Sequence, residues 1–272
     1  MTNRRSIVAL LTDFGTSDPY VAAMKGVIAS RTRADILDLS HEIHPFDAFE
    51  AGWFLRTMRK TFEGSSEILD RAVIVAVIDP GVGTSRRILA AHDGGSFFLA
   101  PDNGVLDLAL SARASFVSVE NETLFLPDGS NTFHGRDRFA PVAAALAERL
   151  VGLDDLGPVL ERAELVTLGY DEPVWRESHV VGHVVAIDRF GNVVTDIDAS
   201  RVDLAGPLRL EVGERTIRDL RTAYGEKPGN EPFLIVGSRG TIEISLNQES
   251  AADRLHCNRL DEVTLAWYTS DD

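Results

Sequence analysis

The stretch VIDPGVGTSRR, Val77 to Arg87, closes an apolar run and turns at once into Asp79, Pro80, two glycines and two arginines. A carboxylate at the lip of a buried strand, with guanidinium groups seven and eight residues on, suits a polar site built on a strand end. Asp before Pro is also a common opening of an ordinary turn. Other polar knots are TDFGTSDPY (Thr12–Tyr20), APDNGVL (Ala100–Leu106), NTFHGRDRFAP (Asn131–Pro141), AIDRFGNVVT and VGSRGTIEISLNQES. The glycines suggest phosphate binding, but GVGTSRR lacks the third glycine of a dinucleotide fingerprint and the Lys-Ser/Thr of a P-loop. A metal would draw on Asp13, Asp79, His41, His44 and His134, yet only His41 and His44 have a short spacing, and they flank a loop before a helix cap. No metal is expected. A Ser-His-Asp triad has no nucleophile-elbow pattern to support it.

The elements that must carry these knots alternate in the first half. Ile7–Leu11 reads as a buried strand, and Asp18 with Pro19 as the N-cap and N1 of a helix to about Arg31. Asp35–Leu39 is a second strand, and Asp47 caps the helix AFEAGWFLRTMRKTF. Val73–Ile78, the most continuous apolar run, is the central two-sided strand. ILAAHDGGSFFLA reads as two strands joined at Asp93-Gly94-Gly95, and VLDLALS and RFAPVAAALAERL as helices. Such alternation predicts an α/β domain with a mostly parallel sheet over residues 1–168. A linker is expected over 169–179, then a smaller all-β, barrel-like domain over 180–272, built from VVGHVVAID, NVVTDI, LRLEVGERTI, PFLIVG, TIEISLN and DEVTLAWY. In open α/β sheets ligands bind outside the carboxyl ends of the strands. The segments beginning at Thr12, Asp79 and Ala100 all fall at such ends.

Bulk properties bound the function. The chain has 272 residues, 44% hydrophobic and 25% charged, enough apolar material for a real core. No apolar run approaches the roughly 18 residues of a membrane span, and the start does not read as a cleavable signal. One cysteine, Cys257, excludes an internal disulfide and a cysteine-rich metal site. With 27 basic against 42 acidic residues the formal charge is −15, which argues against nonspecific nucleic-acid binding. A cytoplasmic protein without nucleic-acid or membrane partners is expected.

Taken together, TDFGTSDPYVAAMKG, VIDPGVGTSRR, APDNG, NTFHGRDRFAP, IDRFGN and the late SRG resemble, in the same order along nearly the whole chain, the S-adenosylmethionine hydroxide adenosyltransferases, relatives of the fluorinases and chlorinases. The resemblance implies an N-terminal α/β domain and a C-terminal β-barrel. It also implies a homotrimer with each active site between one subunit's N-terminal and the neighbour's C-terminal domain. The implied reaction converts S-adenosylmethionine and water to adenosine and methionine, with no cofactor. The hydrolytic branch is marked by an Asp, an Arg seven residues on and a later His, here Asp79, Arg86 and His134. Halogenating relatives carry an aromatic residue in place of Asp79 and Tyr-Ser in place of His134-Gly135, so this chain follows the hydrolase pattern.

The chemistry is consistent. The electrophile is C5′ of a sulfonium and the leaving group a neutral thioether, so neither a general acid nor a metal is required. What is missing is a nucleophile, since free water has a pKa of about 15.7. A carboxylate, a guanidinium and an imidazole around one water could orient it and accept or share its proton. Arg87 is expected to point elsewhere. For the substrate, the resemblance assigns Asp13 to the ribose hydroxyls and Asp18, Asp188, Ser238 and Arg239 to the methionine amino and carboxylate groups. It assigns Asn192 to the adenine, with Phe190 and Tyr224 as stacking or packing partners. Phe46 and Val194 stand where halogenases have tryptophans, which keeps one pocket wall and puts one adenine contact in question. The alternatives are a halogenase-like adenosyltransferase using chloride, a non-catalytic adenosine or S-adenosylmethionine sensor and, more distantly, a metal-dependent phosphoesterase.

Overall fold

The computed structural model describes residues 5–62, 72–226 and 230–268. The chain separates into two compact units, Met1–Tyr170 and Asp171–Asp272. None of the helices formed by the described residues is long and apolar enough to cross a membrane.

The first unit is a layered α/β structure. Its strands are β1 (Ile7–Thr12), β2 (Asp35–Ser40), β3 (Ala72–Val77), β4 (Ile88–Asp93), β5 (Ser96–Pro101), β6 (Ser115–Ser118) and β7 (Val159–Leu160), in spatial order β2-β1-β3-β5-β4-β6-β7. The first three ladders in that order are parallel and the last three antiparallel, so the sheet is mixed rather than mostly parallel. The reversal has a local cause. Gly94 and Gly95, at φ 60° and 91°, make a two-residue turn whose twist matches a tight hairpin, and β4 folds back on β5.

The central strand β3 is buried on both faces, and its alternation sorts residues between two cores. Val73, Val75 and Val77 join a cluster with Met24 and Ile28 of α1 (Tyr20–Arg31) and Val142, Ala143 and Leu146 of α4 (Ala140–Ala147). Ala72, Ile74, Ala76 and Ile78 face Ala51 and Leu55 of α2 (Ala48–Phe62) and Val105, Leu106 and Ala109 of α3 (Val105–Ala109). Helix α2 starts as its sequence suggests, with the Asp47 carboxylate accepting from Glu50 N at 2.9 Å. Asp18 does not cap α1. The cap position is Pro19, at φ −76° and ψ 1°, without a side-chain hydrogen bond, and its carbonyl already accepts from Ala23 N. The chain therefore turns one residue later than expected and leaves Asp18 exposed.

The second unit holds β8 (Val174–Trp175), β9 (His179–Ile187), β10 (Val193–Asp198), β11 (Leu208–Val212), β12 (Arg215–Ile217), β13 (Leu220–Arg221), β14 (Phe233–Val236), β15 (Thr241–Ser245) and β16 (Glu262–Trp267), with the short α5 (Ala251–Leu255). The sheet runs β12-β11-β16-β9-β10-β15-β14-β13 with β8 paired to β9, antiparallel except for the β13–β14 ladder. Leu208 and Leu210 near one end and Leu234 near the other bury into the same cluster as Val180, Val193, Ile242 and Val263, so the sheet curls around one core. The stretch expected as a linker contributes β8 to this sheet.

Candidate active site

In the first unit, the parallel register sets Thr12 opposite Val77, so Asp13 and Asp79 leave the carboxyl ends of adjacent strands on the same edge of the sheet. The adjoining segments are tied to this edge. Asn103, just past β5, donates from Nδ2 to Ile78 O at 2.8 Å, and Phe46, beyond β2, donates its backbone N–H to Asp13 Oδ2 at 2.9 Å. Phe46 adopts φ 68° and is 70% exposed. Burial pushes the Asp13 carboxyl above its ordinary range, and the charge of Asp79 adds to the shift.

Asp79 and Arg86 form a two-pronged pair, Nε to Oδ1 at 2.8 Å and Nη2 to Oδ2, with side chains only 5% and 11% exposed. The same Nη2 lies 2.8 Å from His134 Nδ1. A guanidinium can only donate, so Nδ1 must be the unprotonated nitrogen and the neutral ring carries its proton on Nε2. That nitrogen is buried with no partner among the described residues. Burial, followed by the charges of Arg138 and Arg86, pushes the imidazole below its ordinary value and keeps it neutral at pH 7. The Arg86 guanidinium also packs over Phe139, 5.7 Å from the ring centroid. Arg87 does point elsewhere, pairing Nε with Asp102 Oδ2 at 2.8 Å and donating to Glu164 O.

The seven-residue span between Asp79 and Arg86 is folded by its own backbone, with Val82 N donating to Asp79 O and Thr84 N to Gly81 O. Gly83 has φ 78°, and a methyl group there would fall 2.5 Å from Asn131 O, on the loop that leads to His134. Gly83→Ala is expected to destabilise the fold by about 2 kcal/mol or more and to lower turnover, since the clash is with backbone and pushes the two loops apart. Urea denaturation alongside steady-state kinetics checks both effects.

Three aromatic residues that sequence reasoning did not assign pack together near Gly135, the chain neighbour of His134. The Phe14, Tyr20 and Phe133 rings pack at centroid distances of 5.2–6.1 Å, and a methyl on Gly135 would meet Met24 Sδ at 3.1 Å and Phe133 at 3.3 Å. Asn103 was also passed over, although it lies within the APDNG motif. Its amide links two strand ends, a role that only topology reveals. The histidines considered for a metal are used otherwise, His41 with Thr12 and Asp38 and His44 with Glu50. Among the described residues no three His, Cys, Asp or Glu side chains are grouped to hold a metal ion.

The remaining assigned residues lie in the second unit, apart from the exposed Asp18. Asp188, in the β9–β10 turn, accepts from Phe190 N at 2.8 Å, from Asn192 N at 2.9 Å and from Asn192 Nδ2 at 2.8 Å. Asn192 is buried, while Phe190 is 79% exposed. Ser238 and Arg239 occupy the exposed turn between β14 and β15, which Gly240 N closes onto Gly237 O at 2.9 Å. Tyr224 is half-exposed, with its hydroxyl 3.5 Å from Glu243 Oε2.

Comparison with known proteins bears on both units. Residues 8–157 match the SAM (S-adenosylmethionine) hydroxide adenosyltransferase N-terminal domain, and residues 182–264 the C-terminal domain of the same family. An (R)-S-adenosyl-L-methionine hydrolase of Thermus thermophilus is 37% identical over 91% of this chain and 94% of its own length. A fluorinase of an Actinoplanes species is 25% identical over 90% of this chain and 92% of its own. The crystal structure of an uncharacterized conserved protein from Thermotoga maritima superposes with a TM-score of 0.81 at 32% identity, covering 95% of this chain and 99% of that one. With both domains matched in order and relatives of this similarity along nearly its full length, the chain belongs to the SAM hydroxide adenosyltransferase family.

Proposed function

We propose that this protein hydrolyses S-adenosyl-L-methionine to adenosine and L-methionine, with Asp79, Arg86 and His134 holding the attacking water. The observation that carries the mechanism is the buried Asp79–Arg86–His134 chain of hydrogen bonds at the strand ends of the first unit. The water oxygen forms a bond to C5′ as the C5′–S bond breaks and its electron pair stays on sulfur. Methionine leaves as a neutral thioether and one proton is released. The step as written calls on no metal and no cofactor, because the leaving group needs no further stabilisation.

The roles within the set follow from donor and acceptor capacity. Arg86 donates and draws electron density from the water, favouring hydroxide character. His134 Nδ1 is engaged by Arg86 and Nε2 carries a proton, so the neutral ring positions rather than removes protons. The carboxylate of Asp79 is the basic group of the three and takes the proton. In-line placement behind C5′ supplies the proximity contribution. Asp13 accepts from the ribose hydroxyls, Asn192 with Phe190 and Tyr224 frames the adenine, and Asp18, Asp188, Ser238 and Arg239 surround the methionine end. In this reading the protein is a homotrimer whose active sites form between the first unit of one subunit and the second of its neighbour. A cytoplasmic setting suits a chain with a single cysteine.

Turnover in ¹⁸O-water, run on each sulfonium epimer because the Thermus relative's name specifies R, is the test. Label is expected in the adenosine 5′-hydroxyl, with rates unchanged by chelators. Formation of 5′-chloro-5′-deoxyadenosine in chloride buffers would overturn the hydrolase reading in favour of halide transfer. Tight binding without adenosine release would make the protein a sensor.

A further inference from the structure

A second buried polar chain, separate from Asp79, Arg86 and His134, runs along the same edge of the first sheet. His41 follows β2 at a point where the β1–β2 ladder shifts register and pairs Leu11 with Ser40 instead of Leu39. Such an irregularity re-aims the side chains beside it, and His41 is only 6% exposed. Its Nδ1 lies 2.9 Å from the hydroxyl of Thr12, the fully buried last residue of β1. Its Nε2 lies 3.0 Å from Asp38 Oδ1, and Asp38 in turn pairs with Lys25 Nζ at 2.6 Å. The contact with Asp38 is short but out of line for a hydrogen bond, so the carboxylate acts on the ring mainly through its charge.

Donor and acceptor capacity gives this chain a direction. Phe14 N donates to Thr12 Oγ1 at 3.3 Å. Among the described residues the Thr12 hydroxyl has one other side-chain partner, so its own proton goes to His41 Nδ1. The ring proton then sits on Nε2, facing the Asp38 carboxylate. The reverse tautomer would set a bare nitrogen against that carboxylate and leave the buried Thr12 proton without an acceptor. Asp13 stands inside this network. The residue before it is held by its hydroxyl and the residue after it by its N–H, while Gly15 N donates to His41 O at 2.8 Å. Asp13 itself accepts from Phe46 N, five residues beyond His41 on the same loop.

We propose that His41 is a positioning residue, which through Thr12 fixes the backbone carrying Asp13 and so sets the affinity for the ribose hydroxyls. This rests on the S-adenosylmethionine reading above, in which Asp13 accepts from those hydroxyls. It adds a residue that acts on the ribose without touching it.

Adenosine and 2′,3′-dideoxyadenosine differ only in the two ribose hydroxyls, and a merely structural role for His41 would not distinguish them. In calorimetric titrations of the full chain, the wild type is expected to bind adenosine the more tightly. His41→Gln, whose amide extends toward Asp38 and leaves Thr12 unpaired, is expected to weaken adenosine binding by about 10-fold and 2′,3′-dideoxyadenosine binding by less than about twofold. His41→Asn, whose amide oxygen falls near the place of Nδ1, is expected to recover part of the loss. Thr12→Val, which removes the hydroxyl at nearly constant volume, is expected to reproduce the selective loss and gives the same comparison if the Gln variant does not fold. An equal loss on both nucleosides, no loss on adenosine, or an Asn variant no better than Gln would overturn the role of His41 while leaving the substrate reading intact. A wild-type protein that binds the two nucleosides equally defeats the assignment of Asp13 to the ribose, and the role of His41 with it. A wild-type protein that binds neither defeats the S-adenosylmethionine reading as well.

Discussion

Asp79→Asn is expected to lower kcat for adenosine release by about 10³-fold and to leave KM for S-adenosylmethionine within about threefold. The substitution keeps the volume of the side chain and removes the anion. It also puts an amide NH₂ where one carboxylate oxygen now accepts from Arg86, so that two donors face each other. In the proposed mechanism the carboxylate meets the water and not the substrate, which is why the loss belongs in kcat. The pair is only 5% and 11% exposed, and removing one partner of such a pair typically costs about 3–5 kcal/mol. Urea titration and binding of S-adenosylhomocysteine must therefore accompany the kinetics. Folded Asp79→Asn that binds the ligand normally and loses less than tenfold in kcat would remove Asp79 from the chemistry.

Much of the scaffold was legible because local signals agreed with the final packing. The apolar run Val73–Ile78 had no polar position to turn outward, and it became the strand buried on both faces. Asp93-Gly94-Gly95 required positive φ and formed the hairpin turn. Asp47 stood at a helix start with a free acceptor and caps it. What failed to show was long-range. The hairpin at Gly94-Gly95 sends β4 back beside β5, and the rest of the sheet follows antiparallel, a choice made by pairing rather than by periodicity. The two arginines of SRR have the same local context, and their division depends on Asp102 and on His134, 15 and 48 residues away. His134 itself was identified through family resemblance, since a histidine beside a glycine carries no signal of its own. Glu243 drew no reading from the sequence, because nothing in the stretch TIEIS distinguishes a buried carboxyl from an exposed one. Only the packing of Gly237 and Tyr224 around it shows that it is buried.

Arg86→Lys tests whether the site needs a positive charge or the geometry of a guanidinium. The expected result is a loss of about 10²-fold in kcat at pH 7 with substrate binding retained. In the native site one planar group contacts both Asp79 oxygens and His134 Nδ1, with its face against Phe139. A lysine ammonium keeps the charge, but it is a compact group whose three donors are not arranged as a fork, so it cannot reproduce these contacts together. His134 provides a second readout. Burial first, then Arg138 and Arg86, holds its folded pKa below the unfolded value of about 6.5. The unfolded chain therefore binds the proton more readily. The neutral ring's contribution to stability is present above about pH 6.5 and is lost as the pH falls through the folded pKa. Turnover should follow the same direction, because a protonated Nδ1 can no longer accept from Arg86. Its acid limb is expected below the ordinary imidazole range in the native enzyme. Histidine signals followed by NMR across this range, with rates measured in parallel, check the assignment. Native-level kcat in Arg86→Lys would show that charge alone suffices. An acid limb at or above the ordinary imidazole value would show that protonation of His134 is not what limits the enzyme.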